Sequence, residues 1–192
     1  MNESTLIARA RQGDGAAWET LVRQHQEAAF RLAYLLLGDA VEAEDVAQEA
    51  FIRAFRALDR FDTARPFRPW LLRIAANLAR NRRRAIGRYL TAVRRLVRAT
   101  PEPTTTVESR SQQAWSAQIL WRAVRRLGRT DQEVIYLRYF LELSEAEAAE
   151  ALGVARGTIK SRLHRALERL RTVVEREFPA LQEGFDDERA II

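Results

Sequence analysis

The sequence predicts an all-α protein: two small helical domains joined by a flexible linker, the C-terminal one a helix-turn-helix. Glycine is scarce (8 of 192 residues) and there are 5 prolines, which favours long helices over many short strands. Apolar residues recur at helical spacing in several segments. One central segment, TPEPTTTVESRSQQ at 100–113, combines two prolines with many hydroxyl groups and few apolar side chains, a composition typical of a linker.

This segment sets the predicted domain boundaries. We place an N-terminal domain at 1–95, a linker at 96–112, a C-terminal domain at 113–178 and a tail at 179–192. Each domain is small enough to bury only a modest hydrophobic core. The end of the tail, EGFDDERAII, has two interpretations: a disordered terminus, or a regulatory contact with the basic surfaces.

Composition narrows the class of protein. Hydrophobic residues make up 47% of the chain and charged residues 30%, as in a soluble folded protein. There is no cysteine, so we expect neither disulfides nor a thiolate metal site. The most apolar run, LAYLLL, is too short to cross a bilayer, and the N-terminus lacks the apolar stretch of a signal peptide. We therefore expect a cytoplasmic protein without direct membrane insertion.

Charge is segregated along the chain, whose net charge is +6. Between Asp62 and Glu102 there are eleven arginines and no acidic residue, and a second basic block at 156–171 is interrupted only by Glu168. Acidic residues gather at 39–49, 142–150 and 175–188. A long acid-free stretch is typical of a surface that binds a polyanion such as nucleic acid.

Three helices are predicted in the N-terminal domain: Ala16–Leu37, Val41–Leu58 and, after a loop at Phe61–Pro69, Trp70–Arg84. Their apolar spacing places inward, in chain order, Trp18, Leu21, Val22, Phe30, Ala33, Leu37; Val46, Ala50, Phe51, Ala54, Phe55, Leu58; and Trp70, Leu71, Ile74, Ala75, Leu78. The opposite face carries Asp45, Gln48, Glu49, Ile52, Arg53 and Arg56 on the second helix, and Arg73, Asn77, Arg80, Asn81 and Arg84 on the third.

The C-terminal domain is predicted to contain four helices. The first, near Ala114–Leu127, is built on Trp115, Ile119, Val124 and Leu127. Thr130–Glu133 (TDQE) has the pattern of a capping box that begins a helix at Val134–Leu141. Ser144–Glu147 (SEAE) predicts a second capping box and a short helix that ends at Leu152-Gly153; a last helix follows at Arg156–Phe178.

The stretch EAEAAEALGVARGTIKSRLH, residues 145–164, predicts a DNA-binding helix-turn-helix. Ala149 is small enough for two crossing helices to touch, Gly153 permits a positive φ in the turn, and Ile159 anchors the second helix. The side chains left outward can reach base edges and phosphates in a major groove: Arg156, Thr158, Lys160 (the only lysine), Ser161, Arg162 and Arg165. A plain helical hairpin with solvated basic residues is the alternative, and the capping boxes and the basic helix favour DNA binding.

These motifs resemble bacterial sigma factors. The C-terminal AEALGV turn followed by GTIKSRLHRALERLR looks like their promoter-reading domain, and DVAQEAFIRAFRAL with FRPWLLRIAANLARNRRR resembles the other half of the family. With only a linker between the halves, the chain is similar to the extracytoplasmic-function (ECF) group, over about residues 6–178. The resemblance implies a stress-responsive factor that binds core RNA polymerase and directs transcription initiation at promoter DNA, with no catalysis and no cofactor.

The resemblance also implies site residues. The family helix that carries DVAQEAF binds the largest polymerase subunits, which here points to Asp45, Gln48, Glu49, Ile52 and Arg56. The family's loop and third helix open the minus-ten element, which points to Phe61–Pro69 and to Phe67, Arg73, Asn77, Arg80, Asn81 and Arg84. The helix-turn-helix would read the minus-thirty-five element. Phe67 stays open between a base-binding and a core role, whereas Trp70 is expected in the core; Ile52 is either a partner contact or an ordinary exposed isoleucine.

Two departures from the family lie on the promoter-reading surface: Arg80–Arg84 (RNRRR) stands where acidic residues are common, and Pro69 precedes the tryptophan where a hydroxyl residue is common. Many relatives are held inactive by an anti-sigma protein, and this sequence is compatible with such a partner. The carboxylates of the second helix are accompanied by no histidine, so no metal site is expected.

Two rival functions are considered. One is a helix-turn-helix regulator that acts without polymerase, which leaves the arginine-rich N-terminal helix unexplained. The other is an enzyme acting on nucleic acid, for which the chain offers only His25 and His164 as bases near neutral pH, in different domains.

Overall fold

The computed structural model describes residues 2–96 and 112–178, with side chains described for 2–88 and 119–178. Over these ranges the chain is helical and contains no strand, which confirms the predicted all-α class. The α-helices are α1 Glu3–Arg11, α2 Gly15–Leu37, α3 Ala40–Ala57, α4 Phe67–Leu96, α5 Gln112–Arg126, α6 Arg129–Ile135, α7 Glu145–Leu152 and α8 Arg156–Glu177. A 3₁₀ turn, Leu58–Arg60, follows α3, and a π-helical turn, Tyr136–Phe140, follows α6.

The helices belong to two compact units. The first contains α1 to α4 and the segment Tyr136–Arg156, which includes α7. The second contains α5, α6 and the chain from Gly157 through α8. These units differ in range from the predicted domains, whose boundaries stay a prediction. Most of the predicted linker, the tail and the Trp115 side chain lie outside the described residues.

The core of the first unit is built by one apolar face from each of its first four helices. Leu6 and Ile7 of α1, Leu21 of α2, Phe51 of α3 and Leu71 of α4 are all buried. The sequence pattern does not predict α1, because a nine-residue helix shows only about two and a half turns of periodicity. Its burial against α2 makes it an integral part of this unit.

Short polar signals set the helix ends. The Asp14 carboxylate accepts a hydrogen bond from the Ala17 N–H (3.1 Å) and begins α2; Asp39 does the same for α3 through the Glu42 N–H (2.9 Å). Gly38 closes α2 with a φ of +75°, a conformation that a side chain disfavours. The predicted end of this helix is therefore confirmed.

Two predicted core aromatics lie on the surface. Phe30 is 38% exposed and Phe55 is 50% exposed. Each belongs to an apolar stripe that is wider than the face its helix buries, and periodicity alone does not show where the buried part of a stripe ends.

The loop before α4 is shorter than predicted, because the helix begins at Phe67 and takes Pro69 into its first turn. Phe67 itself is fully buried, with its ring edge-to-face on Trp18 (6.4 Å) and on Phe61 (5.7 Å). The structure thus resolves the choice left open for Phe67 in favour of the core. Trp70 packs partly buried against the same cluster, as expected.

In the second unit, Val124, Leu127 and Val134 are buried. The predicted capping box at Thr130 is wrong, since α6 already begins at Arg129 and the Gly128 carbonyl accepts from the N–H groups of residues 131 and 132. Asp131 is instead a buried ion-pair partner of Arg169 on α8, with 2.6 Å between Oδ2 and Nη1. This pair ties α6 to α8.

The predicted capping box at the start of α7 is confirmed. The Ser144 hydroxyl accepts from the Glu147 N–H (3.2 Å), and the Glu147 carboxylate accepts from the Ser144 N–H (2.8 Å). The Glu147 carboxylate accepts from the Ser144 hydroxyl and from the Ser144 backbone N–H, and these bonds hold the pKa of the Glu147 carboxyl below its ordinary value, against the opposing effect of burial. α7 ends at Gly153, whose φ of +68° confirms the predicted turn.

Candidate functional site

The outward face of α3 carries the five residues assigned to polymerase binding. Asp45, Gln48, Ile52 and Arg56 are exposed, and Glu49 is half-buried and paired with Arg53 (2.7 Å). The opposite face of the helix buries Val46, Ala50 and Ala54 in the core. The structure therefore brings the predicted set together on one solvent-facing strip.

This strip is more apolar than the sequence suggested. Besides Ile52, which is 46% exposed, it includes Val41 (71%) and Phe55 (50%). Positions 41, 45, 48, 52 and 55 follow one another at three- and four-residue steps, so they share one side of the helix. The sequence pattern assigns Val41 to neither face of the helix and predicts Phe55 in the core, so the exposure of Phe55 corrects that prediction. Three exposed apolar side chains among charged ones are typical of a protein-binding surface.

A groove of about 650 Å³ runs beside this strip, between α3 and α4. It is lined by Asp45, Glu49 and Ile52 from α3 and by Leu78, Asn81 and Arg82 from α4, among others. Arg82 forms ion pairs with Glu42 and with Asp45 (3.5 Å), and so holds the acidic start of α3 against α4. The strip on α3 and the basic helix are thereby fixed relative to each other.

The solvent face of α4 carries the residues assigned to the minus-ten element. Arg73, Asn77, Asn81 and Arg84 are exposed and Arg80 is half-buried. Residues 67–96 include no acid, so the positive potential of this face has no neutralising partner on its own helix. Such a face suits the phosphates of a DNA strand.

Arginine and asparagine alternate on this face as hydrogen-bonded pairs. Arg80 donates to the Asn77 side-chain oxygen (2.8 Å), and Arg84 donates to that of Asn81 (2.5 Å). Each arginine holds its asparagine carbonyl, which leaves the two amide N–H groups to meet an acceptor on a base or phosphate. The pairing orients both amides before any DNA is bound.

The segment between α3 and α4 is an exposed loop on buried anchors. Asp62, Thr63, Ala64, Arg65 and Pro66 are all exposed, whereas Phe61 and Phe67 on either side are buried. The Asp62 carboxylate accepts from the Ala64 N–H (3.0 Å) and shapes the turn. Because Phe67 is in the core, the loop offers its backbone and the polar side chains of Asp62, Thr63 and Arg65 rather than an aromatic platform.

Some basic groups near the loop are engaged elsewhere in the first unit. Arg65 forms an ion pair with Glu150 of α7 (2.6 Å), and Arg68 donates to the Leu141 carbonyl (2.9 Å). Gly153 lies so close to Arg73 that a Cβ there would meet the guanidinium at 3.0 Å. These contacts hold the segment Tyr136–Arg156 beside the start of α4.

The first half of α8 carries the third predicted set. Arg156, Lys160, Ser161 and Arg165 are exposed, and Thr158 and Arg162 are half-buried. Ile159 is fully buried, as its predicted role as an anchor requires. Arg165 donates to the Ser161 carbonyl (3.2 Å), which leaves one edge of its guanidinium pointing away from the helix. The predicted recognition side chains therefore all reach solvent along the first half of α8, with Arg156 and Lys160 on one side of the helix and the other four spread around the opposite side.

The two histidines occupy unrelated environments. His25 is buried and hydrogen-bonded to Glu3 (2.9 Å), and His164 is exposed beside Glu168 (3.3 Å). Among the described residues no group of three or more histidine, aspartate or glutamate side chains could hold a metal ion. No helix in the described part of the chain is both long and apolar enough to span a membrane.

Comparison with known proteins matches both halves of the chain. The family model of Sigma-70 region 2 matches residues 21–89, which contain α3 and most of α4, and that of Sigma-70 region 4 matches residues 117–170. The chain is 35% identical over 177 residues to the ECF RNA polymerase sigma factor SigW of Bacillus subtilis, covering 86% of this chain and 92% of SigW. It is 34% identical to SigL of Mycobacterium tuberculosis, covering 88% and 95% of the two chains.

The chain belongs to the ECF sigma factors. As a sigma factor it binds core RNA polymerase and directs transcription initiation at specific promoters. The fold agrees: the structure of CnrH in complex with the cytosolic domain of CnrY superimposes with a TM-score of 0.68 at 26% identity, covering 91% of this chain and 98% of that one. The family resemblance inferred from the sequence motifs is thus confirmed, and a regulator that acts without polymerase is set aside.

Proposed function

We propose that this sigma factor uses three separate surfaces for its three macromolecular contacts. The α3 strip binds the largest subunits of core polymerase, the solvent face of α4 with the loop at 61–66 binds and opens the minus-ten element, and the first half of α8 reads the minus-thirty-five element. The observation that carries the proposal is the acid-free stripe of α4, where arginine and asparagine pair along an exposed face.

The polymerase assignment is supported by the mixed chemistry of the α3 strip. The exposed apolar side chains of Val41, Ile52 and Phe55 provide surface area that a partner can bury. The charged side chains around them can fix the orientation in which the partner binds. Ile52 lies near the centre of the strip, so we take the partner-contact interpretation of this residue.

The minus-ten assignment is supported by the match between α4 and a single DNA strand. Arg73, Arg80 and Arg84 lie on the same face of α4, separated by about two helical turns and then about one, so they can contact successive phosphates of one strand. The amides of Asn77 and Asn81 lie between them and can read base edges. Phe67 is left out of the DNA-binding set because its ring is buried.

The minus-thirty-five assignment is supported by the local structure around the predicted turn and by the exposed start of α8. Gly153 makes the turn, Ile159 anchors the helix, and the exposed Lys160 and half-buried Arg162 lie near the start of α8. The residues at the beginning of a recognition helix are the ones that reach base edges in the major groove.

Regulation and location are part of the same proposal. The protein catalyses no reaction itself and works in the cytoplasm, where its polymerase is. The similar chain CnrH forms a complex with the cytosolic domain of CnrY, which supports an inhibitory protein partner of the anti-sigma kind for this chain as well. Release from such a partner would make its promoters stress-responsive.

The direct test is to add the purified full-length chain to bacterial core polymerase with a library of random promoter fragments. New transcripts that share two conserved elements at a fixed spacing are expected. Tight operator binding without new transcripts would contradict the proposal and restore the helix-turn-helix regulator.

Asn77→Ala tests the minus-ten surface. Strand opening should fall more than duplex binding, because an amide that reads an extruded base acts only once the strands separate. Gln24→Ala, which removes an exposed amide from α2, away from the α4 face, is the control. An equal loss of opening and of duplex binding with Asn77→Ala would contradict the role assigned to this amide.

A further inference from the structure

α1 lies outside both stretches that match the sigma-factor family, since these begin at residues 21 and 117. It contributes Leu6, Ile7 and Ala10 to the core. Its two half-buried charged residues, Glu3 and Arg11, are not needed for that apolar packing, yet both reach the loop between α3 and α4. Their contacts show what the helix does beyond folding.

Arg11 holds the first end of the loop. Its Nε donates to the Leu58 carbonyl (2.9 Å), and its Nη2 donates to the Phe61 carbonyl. Leu58 begins the 3₁₀ turn after α3 and Phe61 is the last buried residue before the loop. Two hydrogen bonds from one planar guanidinium fix both the position and the direction of the chain where it leaves the core.

Glu3 holds the second end. One carboxylate oxygen accepts from the backbone N–H of Phe67 (3.2 Å), the first residue of α4, and the other is bound to Nε2 of His25 (2.9 Å). A negative charge at a helix N-terminus satisfies an unpaired N–H and opposes the positive end of the helix dipole. The hydrogen bond from His25, followed by that from Phe67, holds the pKa of the Glu3 carboxyl below its ordinary value despite burial.

Between these two anchors, residues 62–66 are all exposed. The rings of Phe61 and Phe67 pack edge-to-face at 5.7 Å beneath them, which closes the base of the loop. The loop is therefore short, presented to solvent and attached at both ends to one helix. This is the arrangement expected where a backbone segment must be held ready for a ligand.

We propose that α1 is a brace for the strand-opening loop and that Glu3 and Arg11 are positioning residues for promoter opening. They fix the two ends of the loop, so that an unpaired base meets a preformed surface instead of one that must first be ordered. The inference rests on the proposed minus-ten role of the loop.

The test compares four variants of the full-length chain. Arg11→Met and Glu3→Ala remove the contacts to the loop, and Arg11→Lys and Glu3→Gln retain part of them. Leu6→Ala destabilises the same helix but removes neither side chain that bonds to the ends of the loop, and Arg9→Met removes an exposed charge of α1 that pairs with Asp14. The last two are controls for stability and for charge.

The first measurement is hydrogen exchange in the free protein. Arg11→Met should speed exchange at amides 61–65 and 67 by about tenfold, the change expected when a charge-assisted hydrogen bond that orders a segment is lost. Leu6→Ala should lower the melting temperature as much or more, yet the amides of the loop should exchange more slowly in this variant than in Arg11→Met. Equal exchange in the two variants would reduce α1 to a structural helix.

The second measurement is strand opening by the holoenzyme, with 2-aminopurine in the minus-ten element of a promoter taken from the library selection. Arg11→Met and Glu3→Ala should lower the ratio of open to closed complex by about tenfold, and the conservative variants should restore part of it. A loosened loop with unchanged opening would overturn the positioning role while leaving the sigma function intact. If the wild-type holoenzyme opened no promoter, the proposed function would fail. The positioning role of Glu3 and Arg11 in promoter opening would then fail with it, even if the exchange data showed that α1 orders the loop.

Discussion

Ile52→Ala tests the polymerase-binding strip. Ile52 is 46% exposed in the centre of the α3 strip, so a partner that covers the strip gains the rest of its burial. The change removes three carbon atoms, worth about 2.4 kcal/mol at about 0.8 kcal/mol for each buried methylene. Because 46% of the side chain is still exposed in the free chain, its burial by the partner contributes about 1.1 kcal/mol of binding free energy. Its loss weakens the Kd for core polymerase about sixfold.

The assay is an equilibrium titration of labelled core polymerase with the full-length chain at fixed salt. Ile86→Ala is the matched control, because Ile86 is 36% exposed on α4 and lies outside the proposed strip. Both substitutions replace a β-branched residue with alanine in a helix, so their effects on helix propensity are the same in kind. A Kd for Ile52→Ala within about twofold of wild type, or an equal weakening by Ile86→Ala, would refute the assignment.

Three further predictions concern DNA recognition, the turn and pH. Lys160→Ala should weaken initiation from promoters with an intact minus-thirty-five element by a factor that corresponds to about 1–3 kcal/mol of binding free energy. Arg171→Ala, further along α8, should leave it unchanged. In vitro transcription measures both variants, and equal effects would mean that the recognition surface is misplaced. Gly153→Ala should lower the free energy of unfolding by about 1–2 kcal/mol because the φ of Gly153 is +68°. Gly157→Ala should raise it, because Gly157 lies in a helix with open space around it. Thermal unfolding measures both changes, and two changes of the same sign would contradict the turn geometry. Because folding lowers the pKa of Glu3, the stabilisation by its carboxylate is complete above the ordinary pKa of 4.5 and is lost as the pH falls through the pKa of the folded protein. The difference in unfolding free energy between wild type and Glu3→Gln should therefore shrink in acid. A difference that stays constant with pH would exclude this linkage.

Local signals predicted the helix-turn-helix well because its chemistry is local. The Ser144 capping box and the positive φ of Gly153 each depend on residues within a few positions. The similar pattern at Thr130 does not mark the start of its helix. α6 already begins at Arg129, and Asp131 within the pattern pairs with Arg169, 38 residues away, a contact that no local pattern contains.

The candidate site was predicted as a set of faces, and less well as a set of side chains. The period of α3 and α4 identified which residues share a face, and the structure keeps those groupings. The period does not show how wide the buried part of each helix is, so it predicts Phe55 inside, where the structure exposes it, and does not decide Phe67, which the structure buries. The brace formed by α1 was beyond reach, because pairing Arg11 with carbonyls about fifty residues later needs the tertiary fold.

The exposed Lys160 gives this protein an unusual chemical property. Lys160 is the only lysine in the sequence, so amine-directed reagents find one ε-amino group, and it is exposed on the first half of α8. A fluorophore coupled there, under conditions that spare or block the α-amino group, would sit where the minus-thirty-five duplex is expected to dock. Bound DNA would shield the same nitrogen from acylation, so the rate of modification would serve as a footprint of promoter engagement without any engineered residue.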